Sequence, residues 1–204
     1  MEFHVPYSPE EPKTRLSEVL DGRERSELAR LMLDDVLEAV EAAGHSAVVL
    51  STLELERDDV DVRVAPEPLT SAVNRLLDGE EPPLGVLVAD LPLVTPEAVE
   101  RLASAESDVA LAPGLAGGTN GFVVRETGFE VDFHGASVRD HRERAREAGL
   151  SVESVDSFRL AVDLDVPSDV VEVLLHGDGY AARYLAERFE LVVDGESRVE
   201  AKPK

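Results

Sequence analysis

The chain is 204 residues long, has no cysteine, and carries 43 Asp plus Glu against 20 Lys plus Arg, a formal charge of −23. Missing cysteines exclude a disulfide scaffold, Cys-ligated zinc and iron–sulfur chemistry, and the charge excludes a bulk basic surface for nucleic acid. With 43% of residues apolar and periodically placed, the acidic excess belongs to a folded protein and not to a disordered segment.

A chain of this length buries roughly 70% of its unfolded surface and needs no structural metal to fold. No apolar run approaches the roughly 18 residues of a membrane span, and no basic-then-apolar leader opens the sequence, so a soluble cytoplasmic protein is expected. Only Lys13, Lys202 and Lys204 are lysines; every other basic residue is arginine. Scarce lysine and dense carboxylate suit concentrated salt, where a Debye length of about 3 Å at 1 M screens self-repulsion.

The pattern opens with a strand over residues 1–5, and three prolines in residues 6–12 then make a stiff loop. Lys13 and Arg15 follow, cations placed after the first strand, where doubly wound folds bind phosphate. Neither G-x-x-x-x-G-K-[ST] nor G-x-G-x-x-G is present. An i, i+3, i+4 stripe from Leu28 to Val40 predicts a helix over residues 23–43, closed by Gly44. Strands over 45–51 and 60–65, a helix over 70–77, an apolar strand over 85–89 and a helix over 96–103 come next. After a strand at 108–113, the loop GLAGGTN at 114–120 offers Gly117 and Gly118 for close backbone approach and Thr119 and Asn120 for hydrogen bonding. A plain hairpin turn is the alternative there. Ser137 reads as the N-cap of a helix ended by Gly149, with free N–H groups beside it for an anion. His134 and His141, seven residues apart, suit polar surface or substrate contact better than zinc. A strand over 150–155, helices over 167–175 and 180–188, and an edge strand over 189–193 complete the pattern, with a polar tail over 194–204 expected to fray. This alternation predicts one α/β domain over residues 1–193 with a mostly parallel central sheet flanked by helices.

Two acidic features stand out in that frame. The apolar run from Gly85 stops at Asp90, and Pro92 forbids ordinary continuation of a strand. A carboxylate at the carboxyl end of a buried strand is poor packing chemistry but good metal chemistry, and ligands of open α/β sheets gather there. Capping of the next helix is the alternative, yet Thr95, Pro96 and Glu97 already supply a cap and an N1 proline. Later, Asp163 and Asp165 point the same way if their segment is extended. Separated carboxylates with a basic loop suit Mg2+ holding phosphate oxygens, while Lys13 and Arg15 would offset charge on a transferred phosphoryl group.

Together, PYSPEEPKTRL at 6–16, ADLPL at 89–93, GGTN at 117–120, the set Phe133, Ser137 and His141, and DLDVPSD at 163–169 resemble the 2-phospho-L-lactate guanylyltransferase family. That family lies among Rossmann-like nucleotidyltransferases related to the molybdenum-cofactor guanylyltransferases. ADLP and DxDxP alone indicate only the wider group, and PKTRL with GGTN narrows it. The resemblance implies that GTP and (2S)-2-phospholactate, a small phosphorylated hydroxy acid, give lactyl-2-diphospho-5'-guanosine and pyrophosphate. It implies a homodimer and a place in making the deazaflavin coenzyme F-420 of archaea. It also implies a catalytic set of Lys13, Arg15 and Asp90, and nucleotide contacts from Pro6, Tyr7, Lys13, Thr14, Arg15, Leu69, Thr70 and Asp90. Mg2+ would sit on Asp90 and Asp165 with Asp163 assisting, and the acceptor would meet Gly118, Thr119, Asn120, Gly135 and Ser137. Two positions depart from the family: His134 stands where Gly often follows the Phe, and Pro68-Leu69-Thr70 replaces the common Gly-Leu-Asn turn. The preference for GTP over ATP therefore rests on the family. The rival readings are the same transfer onto phosphoenolpyruvate or another small phospho-acid, and a non-catalytic nucleotide-binding domain. Retention of Lys13, Arg15, Asp90 and Asp165 together argues against the last.

Overall fold

A computed structural model of the chain describes residues 1–193, 195 and 199–204. Its main sheet has seven strands: β1 (Glu2–Tyr7), β2 (Ser46–Ser51), β3 (Asp61–Val64), β4 (Leu84–Leu87), β5 (Val109–Pro113), β6 (Thr119–Val124) and β7 (Val152–Ser154), in the order β3-β2-β1-β4-β6-β5-β7. Every pairing is parallel except those of β6, which runs antiparallel to β4 and β5. A short connection between β5 and β6 leaves no room for a crossover, so that pair can only be antiparallel. Among the described residues seven α-helices accompany the sheet: α1 (Gly22–Ala42), α2 (Leu69–Gly79), α3 (Pro96–Ala103), α4 (Ser137–Glu147), α5 (Phe158–Ala161), α6 (Val170–His176) and α7 (Tyr180–Arg188). None of the helices among the described residues is long and apolar enough to cross a membrane.

Strand alternation sorts the core into two layers. Phe3, Val5, Val49, Leu87, Ala110 and Val123 face α1, α3 and α5, while Val48, Leu50, Val86, Leu111 and Phe122 face α2 and α4. The chain enters at β1 in mid-sheet, winds outward through β2 and β3, then returns to β4 on the other side of β1. That reversal opens a crevice past the carboxyl ends of β1 and β4, the place where such sheets take ligands.

Several sequence expectations need correction. β1 continues through Pro6 to Tyr7, which is possible because its pairing with β4 stops at His4. β4 stops at Leu87, so Asp90 lies in the loop beyond the strand. Ser137 is the first residue of α4 and not its cap, which is Ala136, without a side-chain hydrogen bond. The N–H groups of Ser137, Val138 and Arg139 donate to the carbonyls of His134, Gly117 and Ala136 at 3.1, 3.2 and 3.2 Å. The free anion cradle expected there is thus already occupied by backbone. The tail expected to fray contains β9 (Val199–Pro203), antiparallel to β8 (Phe189–Val193) in a second sheet. Residues 194 and 196–198 of that tail lie outside the described residues.

One long-range cap ties the C-terminal helices to the sheet layer. Asp35, buried on α1, accepts from the N–H groups of Tyr180 and Ala181 at 2.6 and 3.0 Å, closing the N-terminus of α7. Gly179 is required beside it, since a Cβ there would lie 2.3 Å from Asp35 Oδ1. Burial raises the Asp35 carboxyl to about 6 against the pull of those two N–H groups, and Glu38 and Asp34 add to the rise. A carboxyl raised in the folded state binds more protons there than in the unfolded chain. Its burial cost is therefore absent below pH 4 and grows as pH rises through 6. Asp35→Asn removes that titration, so the stability of the wild type relative to the variant should fall by roughly 1–3 kcal/mol between pH 4 and pH 7. Denaturant melts of both proteins across that range measure it; a pH-independent difference would refute the assignment.

Candidate active site

Two leucines build the site from below. Leu16, fully buried in the short 3-10 turn Thr14–Leu16, packs in one cluster with Leu164, Leu28, Met32 and Val170. Leu164 sits between Asp163 and Asp165, so burying it turns both carboxylates outward beside the Lys13 loop. A hydrogen bond from Leu164 N to the Asp90 carbonyl at 3.1 Å brings in the third segment, and buried Leu91 and Leu93 pin the Asp90 loop against the core. Asp169 Oδ2 accepts from the N–H groups of Asp165 and Val166 at 2.9 and 2.8 Å, which ties the backbone at Asp165 to the turn that follows.

Lys13 is the hinge of the arrangement. Its backbone is left-handed at φ +54°, costly for a side chain with a Cβ and tolerated where the surroundings impose it. The Nζ donates to Asp90 Oδ2 and, at 2.8 Å, to Asp165 Oδ1, while Arg15 Nη1 reaches Asp165 Oδ2 at 3.4 Å. Burial alone would lower the Lys13 pKa, but Asp90 and Asp165 outweigh it and hold the amine above its ordinary value. Asp163 behaves oppositely: burial, then the charge of Asp90, push its carboxyl up against the hydrogen bond it receives from Asn120.

Asn120 reaches Asp163 through a bulge. Ala112 pairs with Gly121 but Pro113 with Thr119, leaving Asn120 as the extra residue of β6. The bulge aims its Nδ2 at the carbonyls of Leu160 and Ala161 at 3.0 and 3.2 Å and at Asp163 Oδ1 at 3.2 Å. Thr119 is aimed instead at α4, where His141 Nδ1 lies 2.9 Å from its hydroxyl and Ser137 Oγ donates to it at 3.3 Å. Because Asp132 N donates to His141 Nε2 at 2.8 Å, that nitrogen is unprotonated and Nδ1 carries the hydrogen. Burial lowers the His141 pKa to about 4, consistent with a neutral ring. His134 is separate, paired with Asp140 at 2.8 Å on the surface.

Beside Lys13 and Asp90 opens a cavity of about 300 Å³, walled by Met32, Leu50, Ala65, Leu69, Ala72 and Val88 and by Pro6, Tyr7 and Glu67. Of the residues expected to hold a nucleotide, Pro6, Tyr7, Lys13, Leu69 and Asp90 line it. Arg15 stands on Asp165, and Thr14 begins the turn beneath. Thr70 does not line the cavity; its hydroxyl accepts from Phe133 N at 3.0 Å. Gly118, Thr119, Asn120, Gly135 and Ser137 lie off the cavity wall, joined to the carboxylates through Asn120. Asp169 and Glu67 were missed. A lone carboxylate between a strand and the proline before a helix was the available signal for Glu67.

Crevice, carboxylates and shared lysine define a nucleotidyltransferase-type α/β fold. Solved structures of that fold superpose on it: a Desulfovibrio desulfuricans protein assigned to the nucleotide-diphospho-sugar transferases, 17% identical, with 91% of this chain and 94% of that one covered at TM-score 0.68, and a nucleotidyl transferase from Methanothermobacter, 14% identical, with 91% and 98% covered at TM-score 0.58. Residues 1–202 match the family model described as guanylyl transferase CofC like, and the chain belongs to that family. Relatives named 2-phospho-L-lactate guanylyltransferase include one from Natronomonas pharaonis, 52% identical over 99% of this chain and 100% of its own length. Another, from Halomicrobium mukohataei, is 50% identical over 98% of this chain and 99% of its own.

Proposed function

We propose that the chain condenses GTP with (2S)-2-phospholactate, giving lactyl-2-diphospho-5'-guanosine and pyrophosphate, a step toward coenzyme F-420. Family membership over nearly the whole chain supports the reaction. The observation that carries it to this site is Lys13 held between Asp90 and Asp165 beside a base-sized cavity.

The acceptor phosphate is already an anion, so it can attack the α-phosphorus without a protein nucleophile, and pyrophosphate leaves. The site has to align two mutually repelling anions. Lys13, kept protonated by its two carboxylates, and Arg15 supply positive charge for the phosphate oxygens. The donor set fits Mg2+: Asp90 and Asp165 are hard oxygen ligands that already converge on one cation, the Lys13 ammonium. Among the described residues no three His, Asp or Glu side chains form a preformed cation cage, so an Mg2+ here would depend on substrate phosphates to complete its coordination. Asp90 and Asp165, with Asp163 assisting, would hold it, and when bound it neutralises phosphate charge. The resemblance supports a homodimer, and the acidic composition supports work in concentrated salt.

Four nucleoside triphosphates assayed against phospholactate, phosphoenolpyruvate and 3-phosphoglycerate test the reading through pyrophosphate release. GTP with phospholactate should give the fastest release. Faster release with phosphoenolpyruvate would reassign the acceptor, and none in any well would leave a non-catalytic nucleotide-binding domain.

A further inference from the structure

The guanine preference implied by the family has no assigned reader in this chain. Thr70, in the turn expected to meet the base, spends its hydroxyl on Phe133 N. Ser8 and Thr52, both on the cavity wall, bond each other at 3.2 Å. Two carboxylates line the cavity: Asp90, committed to Lys13, and Glu67. Glu67 is half-buried just before α2, and its Oε1 is buried without an aligned hydrogen bond. Arg75 Nη2 lies 2.5 Å from that oxygen and pairs with it from the solvent side, being itself 65% exposed.

Resting on the nucleotide reading of this cavity, the geometry points to Glu67 as the residue that selects guanine over adenine. Guanine presents two adjacent donors, N1–H and the N2 amine, and a carboxylate only accepts, so the two match edge to edge. Adenine presents an acceptor at N1, which faces the anion unfavourably. Beside Met32, Leu50, Ala65, Leu69 and Val88, a base that offers Glu67 no donor leaves the carboxylate to Arg75 alone and forfeits both hydrogen bonds where water has been displaced. A carboxamide at position 67 reverses part of this logic. Its oxygen accepts from the adenine N6 amine and its nitrogen donates to N1.

Equilibrium binding of GTP, inosine triphosphate and ATP to the wild type, Glu67→Gln and Glu67→Ala tests the assignment. The wild type should bind inosine triphosphate, which lacks the N2 amine, about tenfold more weakly than GTP, and ATP at least about 100-fold more weakly. In Glu67→Gln the GTP-to-ATP preference should shrink by about 30-fold or more, with ATP gaining affinity as GTP loses it. In Glu67→Ala the difference between GTP and inosine triphosphate should vanish. Equal binding of GTP and inosine triphosphate by the wild type overturns the assignment without any variant, and so does an unchanged preference in folded Glu67→Gln. The proposed reaction fails separately: a Glu67-dependent guanine preference with no pyrophosphate release would keep this inference and sink that one.

Discussion

Asp90→Asn should leave the fold intact and lower the rate of pyrophosphate release by about 10²–10³-fold, the usual loss when one preorganised electrostatic contact to the reacting groups is removed. Nothing in the core depends on this side chain. Leu91 and Leu93 anchor the loop, and Leu164 N bonds the Asp90 backbone carbonyl, all of which the substitution keeps. What changes is charge: Lys13 loses one of its two anions, and the site loses a hard oxygen ligand. A second readout separates this from general damage. Asp90 is the second cause, after burial, of the raised Asp163 carboxyl, so its neutralisation should bring the Asp163 titration down, visible by carboxyl NMR. Turnover within tenfold of the wild type would remove Asp90 from the mechanism, and an unmoved Asp163 would remove the charge coupling.

How much of this was legible beforehand depends on what carries each feature. Long elements announce themselves through periodicity: α1 and α3 fall within a residue of their predicted bounds, because their apolar stripes and caps are local. The pairing of Asp90 with Asp165 is not local. It follows from burying Leu16 and Leu164 in one cluster, and no spacing in the sequence encodes that. The motif resemblance supplied the pair; packing supplies the reason. Asn120 shows the opposite limit. Its type and its place near the site were readable, but the bulge that turns it from a loop donor into a partner of Asp163 depends on register with β5. Ser137 misled because Ser at the start of a helical run is a preferred cap, whereas here the hydroxyl is drawn inward to Thr119. Glu67 carried only a weak signal: a lone carboxylate between a strand and the proline before a helix is commonplace in an acidic chain and gains meaning once a cavity forms against it.

Salt should decide whether this fold holds at all. Against 43 carboxylates the 20 Lys and Arg are too few, and many are already consumed locally. Arg30 spans Glu27 and Asp34 at 2.7 and 2.8 Å, and Arg57 spans Asp34 and Asp59 at 2.7 and 2.5 Å. The exposed arms of these pairs contribute little each and weaken as salt rises, while Arg57–Asp34, with side chains 16% and 18% exposed, is screened less, so together they predict a fold slightly less stable in brine. The unpaired excess predicts the reverse. At 0.01 M the Debye length is about 30 Å and every carboxylate on the surface feels the others, whereas at 1 M it is about 3 Å and the repulsion is local. Long-range repulsion among a net 23 negative charges outweighs the loss from a few exposed pairs. The midpoint of thermal unfolding should therefore rise by roughly 10 °C or more between 0.05 M and 2 M KCl, corresponding to a few kcal/mol for a chain of this size. Screening and solvent-exclusion effects separate by their shape. Screening saturates once the Debye length falls below the spacing of surface charges, while exclusion continues to grow with salt and is reproduced by neutral osmolytes. A midpoint that is flat from 0.05 to 2 M, or one that sucrose raises as far as KCl does, would show that the acidic surface is not what ties this fold to salt.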